Sequence, residues 1–340
     1  MSNKPEYKIP TMASVRRMKP NGFKVASTFS GCGGSSLGYR MAGFKVVYAN
    51  EFVPAARECY KENCHKDTHV DDRDIRKVSV KDFLKRAGVK KGELDLLDGS
   101  PPCASFSTSG TRDKGWGEVK KYSDTEQRTD DLFYEFIRLL KGAQPKTFVA
   151  ENVSGLVKGK AKGYFLNILR ELEDAGYEVQ AQVLDAQWLG VPQCRQRLIF
   201  VGVRKDLCLR KNVKPAHPKP FAYQYSVRDV LPHLVREKRG GTPENWQRTT
   251  RPASTIMASG AGLSPTAYLS GGTYVEELKD GKRIQRKFTI PELRKVCSFP
   301  PDFKLTGTFE QQWERMGRSV PPLMMRAIAT TIRDEILNQL

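Results

Sequence analysis

The chain has 340 residues, enough to bury a large core with room for one large domain and one smaller one. Its 57 Lys and Arg against 38 Asp and Glu leave a net charge of +19, which points to a polyanionic partner, nucleic acid before membrane, because no amphipathic basic helix stands out. No apolar run is long enough to span a bilayer and no secretory signal opens the chain; seven scattered cysteines without paired spacing argue for reduced thiols in a cytosol, against a disulfide framework or a zinc site.

Residues 1–22 are polar, basic and unpatterned and predict a tail. From Phe23 strands alternate with amphipathic helices. The strand "FKVASTFSG" is followed by a helix through "SSLGYRMAG", the strand "FKVVYANE" and a helix over Pro54 to Asn63. A short buried strand in "ELDLLDGS" comes next, then a helix from about Asp130 to Lys141, the strand "KTFVAENV" and the helix "GYFLNILRELEDAG". The strands "YEVQAQVLD" and "RLIFVGVR" close the series. Such alternation predicts an α/β fold with a doubly wound sheet and parallel crossovers, spanning residues 23–204. Residues 205–287 lose the rhythm, are rich in Pro, Gly, Lys and Arg, and predict a smaller domain with isolated short strands. Residues 288–340 return to the large domain, with a helical pattern in "VPPLMMRAIATTIRDEILNQL".

Four strand ends carry candidate chemistry. "FSGCGGSSLGY" (Phe29 to Tyr39) is a glycine-rich turn between strand and helix, suited to close approach of a ligand to free amides, although it lacks dinucleotide-binding spacing. Glu51 ends the second strand, where a carboxylate can accept ribose hydroxyls, and Asp74 in "DDRDIRK" can accept an adenine amino group. In "LLDGSPPCASFSTSG", Pro101 and Pro102 impose an extended approach to Cys103 just past a strand end, where open α/β sheets bind ligands. A buried packing thiol and a nucleophile both fit Cys103 taken alone.

Added to these are "ENV" (Glu151 to Val153), "GVPQCRQR" (Gly190 to Arg197) and "MGRSVPP" (Met316 to Pro322). The ordered set resembles the DNA cytosine-C5 methyltransferases of bacterial or phage type, from about Val25 to Ile332. The resemblance implies a Rossmann-like S-adenosylmethionine-dependent domain, a smaller target-recognition domain at 205–287, and double-stranded DNA in the cleft between them. It implies Cys103 as the nucleophile adding to carbon 6 of a flipped cytosine, with Glu151 at N3, Arg197 and more loosely Arg195 steadying the base, and Asn152 bracing the loop around Cys103. For the cofactor it implies Phe29 on adenine, with Ser30, Gly31, Cys32, Gly33 and Gly34 under the methionine portion. Glu51 with Phe52, Asp74 with Ile75, then Pro101, Leu132, Arg318, Ser319 and Val320 complete that pocket. The final helix is expected to pack on the first strand. Ser105, Ser107, Arg248, Arg251 and Thr255 are the expected DNA contacts, the last three near "TTRPASTIMASGAG", which resembles the core of the recognition domain.

Three positions depart from the family pattern: Ser27 stands at the acid opening "DLFSG", Ala104 at the glutamine after the cysteine, and Arg318 at the asparagine of "GNSVPP". Ser27 removes a negative charge and Arg318 adds a positive one. That balance suggests carboxy-S-adenosylmethionine as a second candidate cofactor, giving 5-carboxymethylcytosine. The same scaffold also suits a tRNA cytosine methyltransferase or a catalytically inactive DNA-binding regulator. No metal, membrane or obligate protein partner is expected, and the chain is read as a cytoplasmic, DNA-associated monomer of restriction-modification type.

Overall fold

Strands carrying β-branched residues, several of them followed by a helix, assemble the main sheet. The computed structural model describes residues 4–102, 120–122, 125–127, 129, 131–157, 161–238, 246–261 and 274–340. Cys103, Ala104, Ser105 and Ser107 lie outside the described residues. In chain order the elements are α1 (Met12–Arg17), β1 (Lys24–Thr28), α2 (Gly34–Met41), β2 (Lys45–Asn50), α3 (Pro54–Asn63), β3 (His69–Asp71), α4 (Val80–Ala87) and β4 (Leu96–Gly99). A small hairpin, β5 (Lys120–Tyr122) and β6 (Thr125–Gln127), precedes α5 (Leu132–Ala143), β7 (Thr147–Val153), α6 (Lys162–Asp174), β8 (Tyr177–Asp185), β9 (Gln196–Arg204) and α7 (Lys205–Lys211). Then come α8 (Val227–Val230), β10 (Leu234–Lys238), β11 (Trp246–Arg248), β12 (Tyr274–Lys279), β13 (Lys282–Lys287), α9 (Ile290–Val296), α10 (Phe309–Arg318) and α11 (Pro322–Thr331).

The main sheet has the order β3-β2-β1-β4-β7-β9-β8. Neighbouring strand residues point to opposite faces, and both faces are apolar. Val25, Leu96 and Val149 join one buried cluster with Leu37 and Met324; Ala26, Leu97 and Phe148 join another with Phe83 and Phe136. The sheet is parallel from β3 to β7, but β9 runs antiparallel to both β7 and β8. This corrects the expectation of parallel crossovers throughout. Only residues 186–195, with one 3-10 turn, join β8 to β9, too short for a crossover helix, so the chain turns straight back.

Residues 12–17, expected in a tail, instead form α1, with Met12 and Val15 buried. Thr11 caps the helix, and Asp302 accepts the Met12 N–H at 2.7 Å. At the other end of the chain, α11 packs on α2. A Cβ on Gly38 would stand 2.6 Å from the Met325 Cβ, so the two helices meet at a distance that glycine permits. The expected contact of the last helix with the first strand is thus made one layer out, on the helix that follows that strand.

Past β9, α7 still packs on β8 and β9, and Cys208 belongs to the core of the main sheet. The strands between 234 and 287 are not isolated: they pair antiparallel in the order β11-β10-β12-β13. Among the described residues no helix is long and apolar enough to cross a membrane.

Candidate active site

Four strand ends open into one cleft of about 730 Å³. Past β1 it is lined by Phe29, Ser30, Gly31, Cys32 and Gly34; past β2 by Glu51 and Phe52; past β4 by Pro101; and at β7 by Glu151 and Asn152. Asp74, Ile75, Leu132, Arg318, Ser319 and Val320 also line it, as do Arg195, Arg197 and Thr255. A crevice outside the carboxyl ends of parallel strands is where such sheets bind ligands. Gly33 is not part of the lining; with φ of 98° it caps α2 and turns the chain into the helix. Arg248 and Arg251 are exposed and outside the cleft.

The cofactor end is built from backbone as much as side chain. Phe29 has φ of 54°, left-handed backbone that a bulky residue rarely adopts, and such strain collects at ligand sites. A Cβ on Gly34 would stand 2.3 Å from the Val320 carbonyl oxygen, so the glycine turn closes directly on the segment after α10. Cys32 Sγ lies 3.1 Å from Ser319 Oγ across the same junction. Glu51 takes the Gly31 N–H on one oxygen at 2.6 Å and the Val53 N–H on the other at 2.8 Å. Burial raises its pKa above the ordinary carboxylate value, and the two amides oppose that rise. Each oxygen keeps lone-pair capacity for a hydroxyl donor. Asp74 caps the turn Ile75–Lys77 through the Arg76 N–H and pairs with the Arg76 guanidinium at 3.1 Å; Arg76 also reaches Asp131 at 2.7 Å, next to Leu132.

At the chemical end, Glu151 Oε1 and Arg197 Nε form an ion pair at 2.8 Å, with both side chains largely buried. Glu151 pairs across the β7–β9 ladder with Ile199 and Val153 with Arg197, so the two charges are diagonal neighbours on one sheet face. Asn152 donates from Nδ2 to the Pro101 carbonyl at 3.4 Å, bracing the approach to position 103.

Arg195 differs from its expected neighbour. It precedes β9, is buried, and donates to the Ile256 carbonyl at 3.1 Å and the Gly317 carbonyl at 2.8 Å. It clasps the segment around Ile256 to α10, so two of its donors are committed to main chain and not to a base. Thr255 is likewise tied, its hydroxyl donating to the Cys194 carbonyl. Replacing Arg195 by Met should strand two buried carbonyls, each costing about 1–3 kcal/mol. Urea unfolding should therefore show a lower midpoint; an unchanged midpoint with lost turnover would instead assign Arg195 to the base.

The two charge departures look different in three dimensions. Ser27 Oγ donates to Asp98 Oδ2 at 2.8 Å, so a carboxyl group is present beside it after all. Arg318 Nε pairs with Glu314 Oε1 at 2.6 Å, four residues back on α10. Glu314 also holds Arg315, a buried cleft residue that was not among those expected from the sequence. Arg315 stands three residues before Arg318, and helical spacing was the signal available for it.

Residues 23–334 match the family described as C-5 cytosine-specific DNA methylase. The Type II methyltransferase M.NgoPII of Neisseria gonorrhoeae is 28% identical, covering 92% of this chain and 96% of its own. M.BsuRI of Bacillus subtilis is 31% identical over 93% of this chain and 80% of its own length. Among solved structures, a putative DNA modification methyltransferase encoded within an E. coli prophage aligns with a TM-score of 0.63 at 22% identity, over 93% of this chain and 100% of that one. A Spodoptera frugiperda DNMT2 variant gives 0.64 at 20% identity, over 90% and 98%. The last two speak for the fold alone. With the cleft at the strand ends, the glycine turn closed by the segment after α10 and the paired Glu151 and Arg197, the match over nearly the whole length leads to one conclusion: this chain belongs to the C-5 cytosine-specific DNA methylase family.

Proposed function

We propose that the protein is a sequence-specific DNA methyltransferase that methylates carbon 5 of a flipped cytosine through a covalent adduct with Cys103. The carrying observation is the Glu151–Arg197 pair, set beside the Asn152-braced Pro101 carbonyl in the lining of the cleft. Addition of the Cys103 thiolate to carbon 6 makes carbon 5 nucleophilic, and Glu151 holds or donates a proton at N3, neutralising the negative charge that develops there. After transfer a base takes the carbon 5 proton, and the electron pair of that bond restores the C5–C6 double bond and expels the Cys103 thiolate from carbon 6. Flipping the base costs about a few kcal/mol of stacking and pairing, which protein contacts offset.

S-adenosylmethionine supplies the methyl group when bound. The residues present fit it: Glu51 for ribose hydroxyls, Asp74 for the adenine amino group, Phe29 for the ring, and the glycine turn for the methionine portion. Carboxy-S-adenosylmethionine would need Arg318, whose Nε lies on Glu314. In competition between the two cofactors, methylcytosine should therefore dominate the products. Glu314→Gln, which weakens the hold on Arg318, should raise any carboxymethyl share; a product dominated by 5-carboxymethylcytosine in the unaltered protein would reverse this reading.

The +19 charge and the exposed Arg248 and Arg251 support double-stranded DNA as the substrate. The names of the bacterial relatives support a place in restriction-modification. Nucleoside mass spectrometry of duplex DNA incubated with protein and S-adenosylmethionine should yield 5-methylcytosine. Product on tRNA and none on DNA would overturn the substrate, and no product on either would favour an inactive regulator.

A further inference from the structure

Asp98 takes no part in the chemistry above, yet it is 1% exposed and carries an acid into the centre of the sheet. Its oxygens receive hydroxyls, Ser27 Oγ at 2.8 Å and Tyr39 OH at 3.1 Å. Ser27 is its backbone partner across the β1–β4 pair. Ser30, in the cleft lining, lies 3.2 Å from Ser27 through the two hydroxyl oxygens and donates to the Ser27 carbonyl. Tyr39 belongs to α2, the helix that begins at the glycine turn. One carboxyl group thus joins three elements: the strand before the cofactor turn, the helix after it, and the strand leading to Pro101, Pro102 and Cys103.

The location is costly. Burial, with some repulsion from Glu151, pushes the Asp98 pKa up to about 7, against the opposing hydrogen bonds of Ser27 and Tyr39. A carboxyl whose folded pKa exceeds its unfolded one binds more protons when folded. It therefore subtracts stability progressively as pH rises from about 4, its ordinary value, through about 7. Leu96 and Leu97 on the same strand show that apolar residues suit this core.

We infer that Asp98 is a positioning residue for the transfer, aligning the strand that leads to the nucleophile with the turn that holds the cofactor, and standing across the strand pair from Ser27 in place of the acid the family pattern puts there. The inference rests on the proposed methyl transfer. It deepens that reading by assigning a residue of β4 that touches neither substrate nor cofactor.

The test uses the full chain in four forms: unaltered, Asp98→Asn, Ser27→Asp, and the reciprocal double variant Ser27→Asp with Asp98→Ser. Cofactor affinity is measured by calorimetry without DNA, turnover on duplex DNA, and the melting temperature at pH 8. Asp98→Asn should melt no lower than the unaltered protein, because it removes a buried charge. It should nevertheless weaken S-adenosylmethionine binding about tenfold, the weight of one well-placed polar contact. Its kcat should fall on the order of 10²-fold, as expected from misalignment of reacting groups. Ser27→Asp alone should lose activity through two facing carboxyl groups, and the double variant should recover most of the affinity and turnover. Unchanged affinity and kcat in Asp98→Asn would overturn the inference, as would losses that merely follow a lower melting temperature or a double variant no better than Ser27→Asp. If the unaltered protein bound S-adenosylmethionine but made no 5-methylcytosine, the proposed function would fail; the affinity series would still decide the role of Asp98.

Discussion

Cys103→Ser should abolish methyl transfer, by on the order of 10⁴-fold or more, the scale on which loss of a covalent nucleophile acts. A serine hydroxyl is the wrong acid for this step: almost none is ionised near neutral pH, whereas a thiol supplies thiolate readily. The geometry behind the position should survive the change. Pro101 is buried in the cleft wall, its carbonyl is held by Asn152, and β4 is paired on both sides by β1 and β7. None of these contacts involves the sulfur, so folding and DNA binding should be retained. The decisive measurement is a denaturing gel of protein with duplex DNA carrying 5-fluorocytosine at the target. That base lacks the carbon 5 proton whose loss ends the reaction, so the unaltered protein should stay covalently attached and the serine variant should not. A trapped adduct in Cys103→Ser would place the nucleophile elsewhere in the chain.

The parts of this site that the sequence makes legible are those built from contiguous residues. A glycine turn after one strand, Glu51 at the end of the next and the Glu151–Asn152 pair are each local, and strand periodicity puts them at one edge of the sheet. What stays hidden depends on pairing between distant segments. Ser27 looks like a lost charge until β1 and β4 are side by side and Asp98 appears opposite it. Arg195 and Arg197 are both expected at the base, Arg195 more loosely, but β9 begins at Gln196, so the strand's alternation governs Arg197 and lets Arg195 turn inward. The helix α1 is six residues long, too short for an amphipathic period to show, and its burial of Met12 and Val15 arises only from the core it meets.

Glu151→Gln should lower transfer by about 10²–10⁴-fold, the range in which positioned acid–base groups contribute. Glutamine has nearly the same shape and its amide oxygen can still face the Arg197 guanidinium, so the side chain should remain in place. What it cannot do is hold a proton that is given to the base and taken back. Removing the charge also leaves Arg197 without its carboxylate in a largely buried setting, and an uncompensated charge costs more than the pair was worth. The two consequences separate in a double-variant cycle. If Glu151 acts only by fixing Arg197, then adding Arg197→Gln to Glu151→Gln should cost nothing further in turnover, because the function is already lost. If proton transfer is its main task, the second change should lower turnover again through poorer holding of the base. The expected result is the second, with single-turnover rates on duplex DNA as the readout and the melting temperature as the control for folding. A Glu151→Gln rate within tenfold of the unaltered protein would remove the carboxyl group from the chemistry and leave Arg197 alone to polarise the cytosine.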